Sequence, residues 1–290
     1  MNERPAGNPF PNPSTAFTLA ATAAFLSFLL PASFGGGVAS IAVGSALGLG
    51  GLGYLAARMV PEPVALRLGM VSFPVRALAP VALLVPVAFV VSELDNWIRL
   101  AFAAAQSESL GKPEFAAPEE IVFAVFLLPV LEEFFFRGVL LQGCVSALGR
   151  WRAIALVAAL QIVLVPSLLL IQVFGAAAPL APITSQGART LVLGVLLGLL
   201  RLATSSLWPG VALSGVIAAL SFAAGAFPDR VGIPGFNAPG DTTPLAIMLP
   251  AVLSVALGVW LLVNQLEREP ELPPIGPPEP EDDEEPGPLF

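Results

Sequence analysis

The chain has 290 residues, 56% of them hydrophobic and only 12% charged, with a mean hydropathy of +0.83. A soluble domain carries about 25% charged residues, so this composition excludes an ordinary soluble fold and indicates a polytopic membrane protein. The formal charge of -8 is local, because nine of the 21 acids lie between Glu267 and Glu285, and the balanced remainder offers no basic surface for nucleic acid.

In chain order, residues 1–14 read as a cytoplasmic N-terminal segment. The apolar run that follows is longer than a signal-peptide core of roughly 7–15 residues, so it reads as a first membrane helix that is not cleaved. A spanning helix needs about 20 mostly apolar residues. Eight runs qualify, at 15–34, 38–60, 76–93, 119–142, 152–173, 187–205, 207–226 and 244–265. The expected fold is therefore an all-α polytopic membrane bundle of about eight transmembrane helices over residues 15–265.

Gly35, Gly36 and Gly37 suit a tight turn between the first two spans. The second span is rich in glycine and alanine, which lets helix backbones approach closely in lipid. Residues 94–111 carry an apolar stripe with polar flanks and predict an amphipathic helix lying at the interface, with Trp97 at the right depth. The Pro- and acid-rich residues 266–290 read as a disordered tail, either solubilising or docking a soluble partner. Arginine placement sets the orientation. With the N-terminus in the cytoplasm, that side holds Arg4, Arg58, Arg67, Arg76, Arg150, Arg152, Arg201 and Arg268. The opposite side holds Arg99, Lys112, Arg189 and Arg230. This bias puts both termini in the cytoplasm and suggests a cell (inner) membrane.

The fourth span contains LLPVLEEFFFRGVLLQG, residues 127–143, with Glu132, Glu133 and Arg137 inside an apolar helix. Glu133 and Arg137 are four apart and in the favourable order for an ion pair. Glu132 is turned about 100° from Glu133 and is free to point elsewhere in the bundle. Each uncompensated charge deep in a bilayer costs at least ~2.5–3.5 kcal/mol, so the cluster reads either as a packing ion pair or as a functional site. Gln161 in the fifth span, and Ser214 and Ser221 in the seventh, could complete a polar cavity with the glutamates. Their plainer reading is ordinary interhelical hydrogen bonding.

The pattern EExxxRG at the end of an apolar helix resembles the first motif of the CPBP family, also called ABI or CAAX-protease-like, a family of intramembrane endopeptidases. Residues 151–166 resemble its second-motif helix, which usually carries Phe-x-x-x-His. Residues 194–220 resemble its third region, a Gly-rich helix, a Ser/Thr turn and a helix usually carrying His-x-x-x-Asn or His-x-x-x-Asp. The likeness covers about residues 115–225. It implies that Glu132 would activate an attacking water, with Glu133 and Arg137 completing the first motif. On this chain the second-motif Phe falls on Gln161 and its histidine on Val165, while the third-motif histidine falls on Ser214 and its Asn on Ala218.

The chain has no histidine at all. Histidine is the usual acid or base near neutral pH and the usual zinc ligand in such a site. No metal or other cofactor is expected, and Cys144, the single cysteine, excludes an intrachain disulfide. The resemblance therefore implies a catalytically degenerate member that binds a membrane protein or peptide, lipidated ones included. The alternatives are an active endopeptidase with a non-standard site centred on Glu132, and a small transporter-like protein. No internal repeat supports the last.

Overall fold

The computed structural model describes residues 10–33, 38–60, 64–102, 118–163, 180–226, 232–238 and 241–268. The regular structure among them is helical, apart from one isolated bridge between Pro234 and Ala238. The expected Gly35–Gly37 turn, Val165 and the acidic tail beyond Arg268 lie outside the described residues.

Helix α1 starts at Pro13–Ala24, widens into a π-helical segment at Phe25–Leu29 and ends at Leu30–Ser33. Asn12 caps it, its Oδ1 accepting the Thr15 N–H at 2.9 Å, and Pro13 occupies the first turn, where a missing N–H costs nothing. Helix α2 comprises Val38–Ser45, a π segment at Ala46–Gly51 and Leu52–Ala57. Its glycines are packing positions. A Cβ on Gly44 would fall 2.3 Å from Pro31 Cγ, and one on Gly48 2.3 Å from Ser27 Oγ, so only hydrogen fits between α1 and α2. A short helix α3, Val64–Leu68, precedes α4, which comprises Val75–Ala77, Leu78–Leu84 and Val87–Ala101 with its irregularity just before Val87, at Pro86.

Helix α4 departs from expectation. Residues 94–101 continue the third span rather than forming a separate interfacial helix, and 103–111 lie outside the described residues. Their polar groups find partners inside the bundle. Arg99 pairs with Asp95 at 2.8 Å, and Asp95 accepts a hydrogen bond from Ser185. The chain therefore has no need to turn into the interface.

Helix α5 is assembled from Pro118–Val122, a π segment Phe123–Leu127, Leu128–Glu132, a second π segment Glu133–Leu140 and Leu141–Leu148. Residues 135–144 are all buried, so this part of α5 has no lipid-facing side. It packs against α1, α2, α3, α6, α7 and α8, where α6 is Arg150–Ile162, α7 Leu180–Thr204 and α8 Trp208–Ala226. Gly149, at φ +78°, makes the single-residue turn from α5 to α6, a conformation that side chains rarely adopt. Gly194 and Gly198 bring α7 against Ala158 and Ile154 of α6. The last helix, α9, is Leu245–Arg268. It presents Leu249, Val252, Leu253, Leu257 and Trp260 outward and is anchored inward by Ser254, which donates to the Leu83 carbonyl at 2.8 Å.

Among the described residues four helical stretches, Ala39–Ala57, Val75–Ala101, Ile183–Thr204 and Leu245–Arg268, are long and apolar enough to cross a membrane. Pro13–Leu29 and Trp208–Ala224 are shorter and equally apolar. With the buried middle of α5 among them, the architecture is an all-α membrane bundle.

Candidate active site

The site grows out of the enclosed middle of α5. Glu133 and Arg137 are each 1% exposed, and Arg137 Nη1 lies 3.3 Å from Glu133 Oε1. The pair implied by the four-residue spacing is present. The arginine is held from two further helices, because its Nη2 donates to Gln161 Oε1 on α6 at 2.8 Å and to the Gly194 carbonyl on α7 at 3.2 Å. A guanidinium with a fixed fork of donors suits this role, since one side chain ties three helices together. Gly194 has to be small here, as a Cβ would lie 2.9 Å from Ala158 Cβ and 3.2 Å from Gln161 Oε1.

The other oxygen of Glu133 turns toward the start of α8. A Cβ on Gly210 would sit 2.4 Å from Glu133 Oε2. The carboxylate thus lies against the first turn of a 19-residue helix, the positive end of its dipole. Arg201, 5% exposed near the end of α7, is within electrostatic range of Glu133. It donates from Nη2 to the Arg67 carbonyl at 2.9 Å and backs onto Gly69, whose φ of +75° and lack of a Cβ make room for the guanidinium. One buried carboxylate is therefore shared by two arginines and a helix terminus. That arrangement commits Glu133 to structure.

Glu132 is placed differently. It is surrounded by protein and yet keeps part of its surface accessible. Ser214 is part-buried on α8 one turn beyond Gly210, and α8 packs directly along the α5 segment that ends at Glu132. Ser221 is exposed and donates to the Ile217 carbonyl of its own helix at 2.9 Å, so it takes no part in a cavity. The possible hydrogen bond from Gln161 to Glu132 is replaced by the one to Arg137. The reason is reach: Arg137 is the residue of α5 that projects between α6 and α7.

The turn between α7 and α8 is built from ATSSLWPG. Ser205 adopts φ +57°, which is uncommon for a residue with a side chain. The turn is held by Ser206 Oγ donating to the Val71 carbonyl at 3.1 Å and by the Leu207 N–H donating to the Gly69 carbonyl at 2.9 Å. It thereby fixes where α8 begins, and hence where Gly210 meets Glu133.

Sequence reasoning missed Arg201 and Gly210. Arg201 reads along the chain as one more charge at a span end, and its burial depends on the segment 67–71 folding over it. Gly210 reads as turn punctuation before a helix. In both cases the signal was the density of small and polar residues around LWPG, which marks a close approach without saying to what. Among the described residues no three His, Cys, Asp or Glu side chains come together to hold a metal ion. Among the described residues the acids at this centre are the adjacent Glu132 and Glu133, and two neighbouring carboxylates are by themselves a poor ligand set for a metal-activated water.

Residues 116–220 match the family model described as Rce1-like, type II CAAX prenyl endopeptidase. No curated protein and no solved structure matches the chain. The matched segment begins just before α5 and ends within α8, taking in both glutamates, Arg137, Gln161, Gly210 and Ser214. Over residues 116–220 the chain is therefore similar to the Rce1-like family of type II CAAX prenyl endopeptidases.

Proposed function

We propose that this protein binds a membrane protein or peptide, lipidated ones included, at the α5–α8 interface beside Glu132, and does not hydrolyse it. The observation that carries this reading is the use made of the first motif in a chain with no histidine. Arg137 is ion-paired to Glu133 and donates to Gln161 and Gly194, and Glu133 is enclosed against Gly210. That leaves Glu132 as a lone accessible carboxylate without a basic group to pass protons to. A general base needs both reach and a suitable proton partner, and Ser214 supplies no such partner.

A second reading, an active endopeptidase centred on Glu132, is favoured by one fact: Glu132 remains accessible while its neighbour does not. One experiment separates the two. The full chain, reconstituted in liposomes, is offered prenylated and unprenylated membrane peptides carrying a photo-crosslinking residue. Binding without hydrolysis predicts saturable crosslinking to the α5–α8 region and no cleaved product, unchanged in Glu132→Ala except for affinity. Product formation that disappears in Glu132→Ala would establish the second reading instead. The protein sits, on this proposal, in a cell membrane with both termini cytoplasmic, and the acidic residues 269–290 serve as a solvated tail or a docking segment for a soluble partner.

A further inference from the structure

A second buried carboxylate lies far from the first. Glu93 of α4 is 6% exposed, and its Oε2 accepts the backbone N–H of Thr243 at 2.8 Å and Asn96 Nδ2 at 3.0 Å. Asn96 Nδ2 also donates to the Gly235 carbonyl at 2.8 Å, and Ser92 Oγ reaches the same carbonyl at 3.3 Å. Phe236 packs on Phe89 with ring centroids 4.6 Å apart. Asn237 Nδ2 donates to the Ala224 carbonyl near the end of α8 at 3.2 Å, while its Oδ1 accepts the Ile233 N–H at 2.8 Å. Gly235 has φ +73°, and a Cβ there would fall 2.5 Å from the Thr242 backbone. The described residues 232–238 and 241–243 thus form a strap that ties the end of α8 and the start of α9 onto α4.

The strap and the first-motif pair act on opposite ends of one helix. Gly210 meets Glu133 and Ala224 meets the strap, 14 residues later, roughly 21 Å along α8. Glu93 accepts from neutral donors, the Thr243 N–H and the Asn96 amide. Among the described residues, the charged groups at this end are Asp95 and Arg99 on α4, which pair with each other, Arg189 on α7, which lies in the field of Asp95, and Asp241 at the strap. Neither α8 nor the start of α9 brings a charge to it. An ionised carboxylate is a far better acceptor than a protonated one, so Glu93 holds both N–H donors strongly only when it is charged.

We infer that the strap is a clasp held by ionised Glu93, and that acid on this side of the membrane releases the end of α8 and opens the α5–α8 interface. The inference rests on the reading of that interface as the binding surface, but its test does not require a bound peptide. The full chain carrying Cys144→Ala and Ser214→Cys is labelled in liposomes with a membrane-permeant thiol reagent. Rates are normalised to a parallel chain with Glu119→Cys, an exposed position at the start of α5. Acidification is expected to raise the normalised Ser214→Cys rate severalfold. Glu93→Gln is expected to give the high rate at both pH values. Cross-linking Phe89→Cys to Phe236→Cys before labelling, with one equivalent of a short bis-alkylating thiol-reactive linker that forms two thioethers and releases its two leaving groups, is expected to hold the rate low at both in the chains whose Ser214→Cys thiol is still free. A rate that ignores acid in the Glu93 protein overturns the clasp, and so does an acid response that survives the cross-link. Should Glu93→Gln fail to fold, the cross-linked arm decides by itself. Peptide crosslinking at neutral pH fails or succeeds independently of this result.

Discussion

At the scale of single residues, Gln161 has the largest effect on how the site is read. It stands where the family's second motif usually has Phe, and it uses that place to accept a hydrogen bond from Arg137 at 2.8 Å. Gln161→Leu keeps the volume and removes the acceptor, leaving a buried guanidinium nitrogen with only the Gly194 carbonyl. We expect a loss of about 1–3 kcal/mol, seen as a lower midpoint of thermal unfolding in detergent. An unchanged midpoint would mean that Arg137 is held well enough by Glu133 and Gly194 alone. The ion pair itself was legible from the sequence, because i,i+4 spacing is a local property. The partner of Gln161 was not, because choosing between Glu132 and Arg137 depends on which face of α5 meets α6.

At the scale of elements, α5 and α8 approach through a glycine. Gly210→Ala places a methyl group 2.4 Å from Glu133 Oε2, so either α8 retreats or the carboxylate rotates away from Arg137. Overpacking of this kind costs about 1–3 kcal/mol. The measurement is the unfolding midpoint of Gly210→Ala set beside Gly51→Ala, where the new methyl meets nothing closer than 3.7 Å and a much smaller change is expected. Span positions were readable because lipid demands long apolar runs, and that demand is written in composition. The continuation of α4 to Ala101 was not readable from its own residues. Glu93, Asp95, Asn96 and Arg99 look like a helix leaving the membrane until Thr243, Gly235 and Ser185 supply their partners. The π segments of α5 also left no mark in the residue pattern, since a wider turn changes which residues share a face without changing how apolar they are.

At the scale of the whole molecule, the excess of arginines on one side implies that both termini face the cytoplasm. Two of the counted residues, Arg67 and Arg201, prove to be buried at 5% exposure each, with Arg201 donating to the Arg67 carbonyl. Fusing a reporter that is active only in the cytoplasm after Arg268 is expected to give full activity, and the same reporter inserted between Ala101 and Pro118 none; the reverse pattern would invert the orientation. One consequence concerns how such a molecule is made. The partners of Arg137 arrive late, Gln161 being 24 residues and Gly194 57 residues further along the chain. At roughly 5–20 residues per second, synthesis of those 57 residues takes on the order of 3–11 s. Until Gln161 is made, nothing from α6 or α7 covers the arginine and two glutamates of α5, and until Gly194 is made only α6 does. Its insertion has to wait in a protected, hydrated setting, so the folding order of this bundle is set by its most enclosed helix rather than by its first.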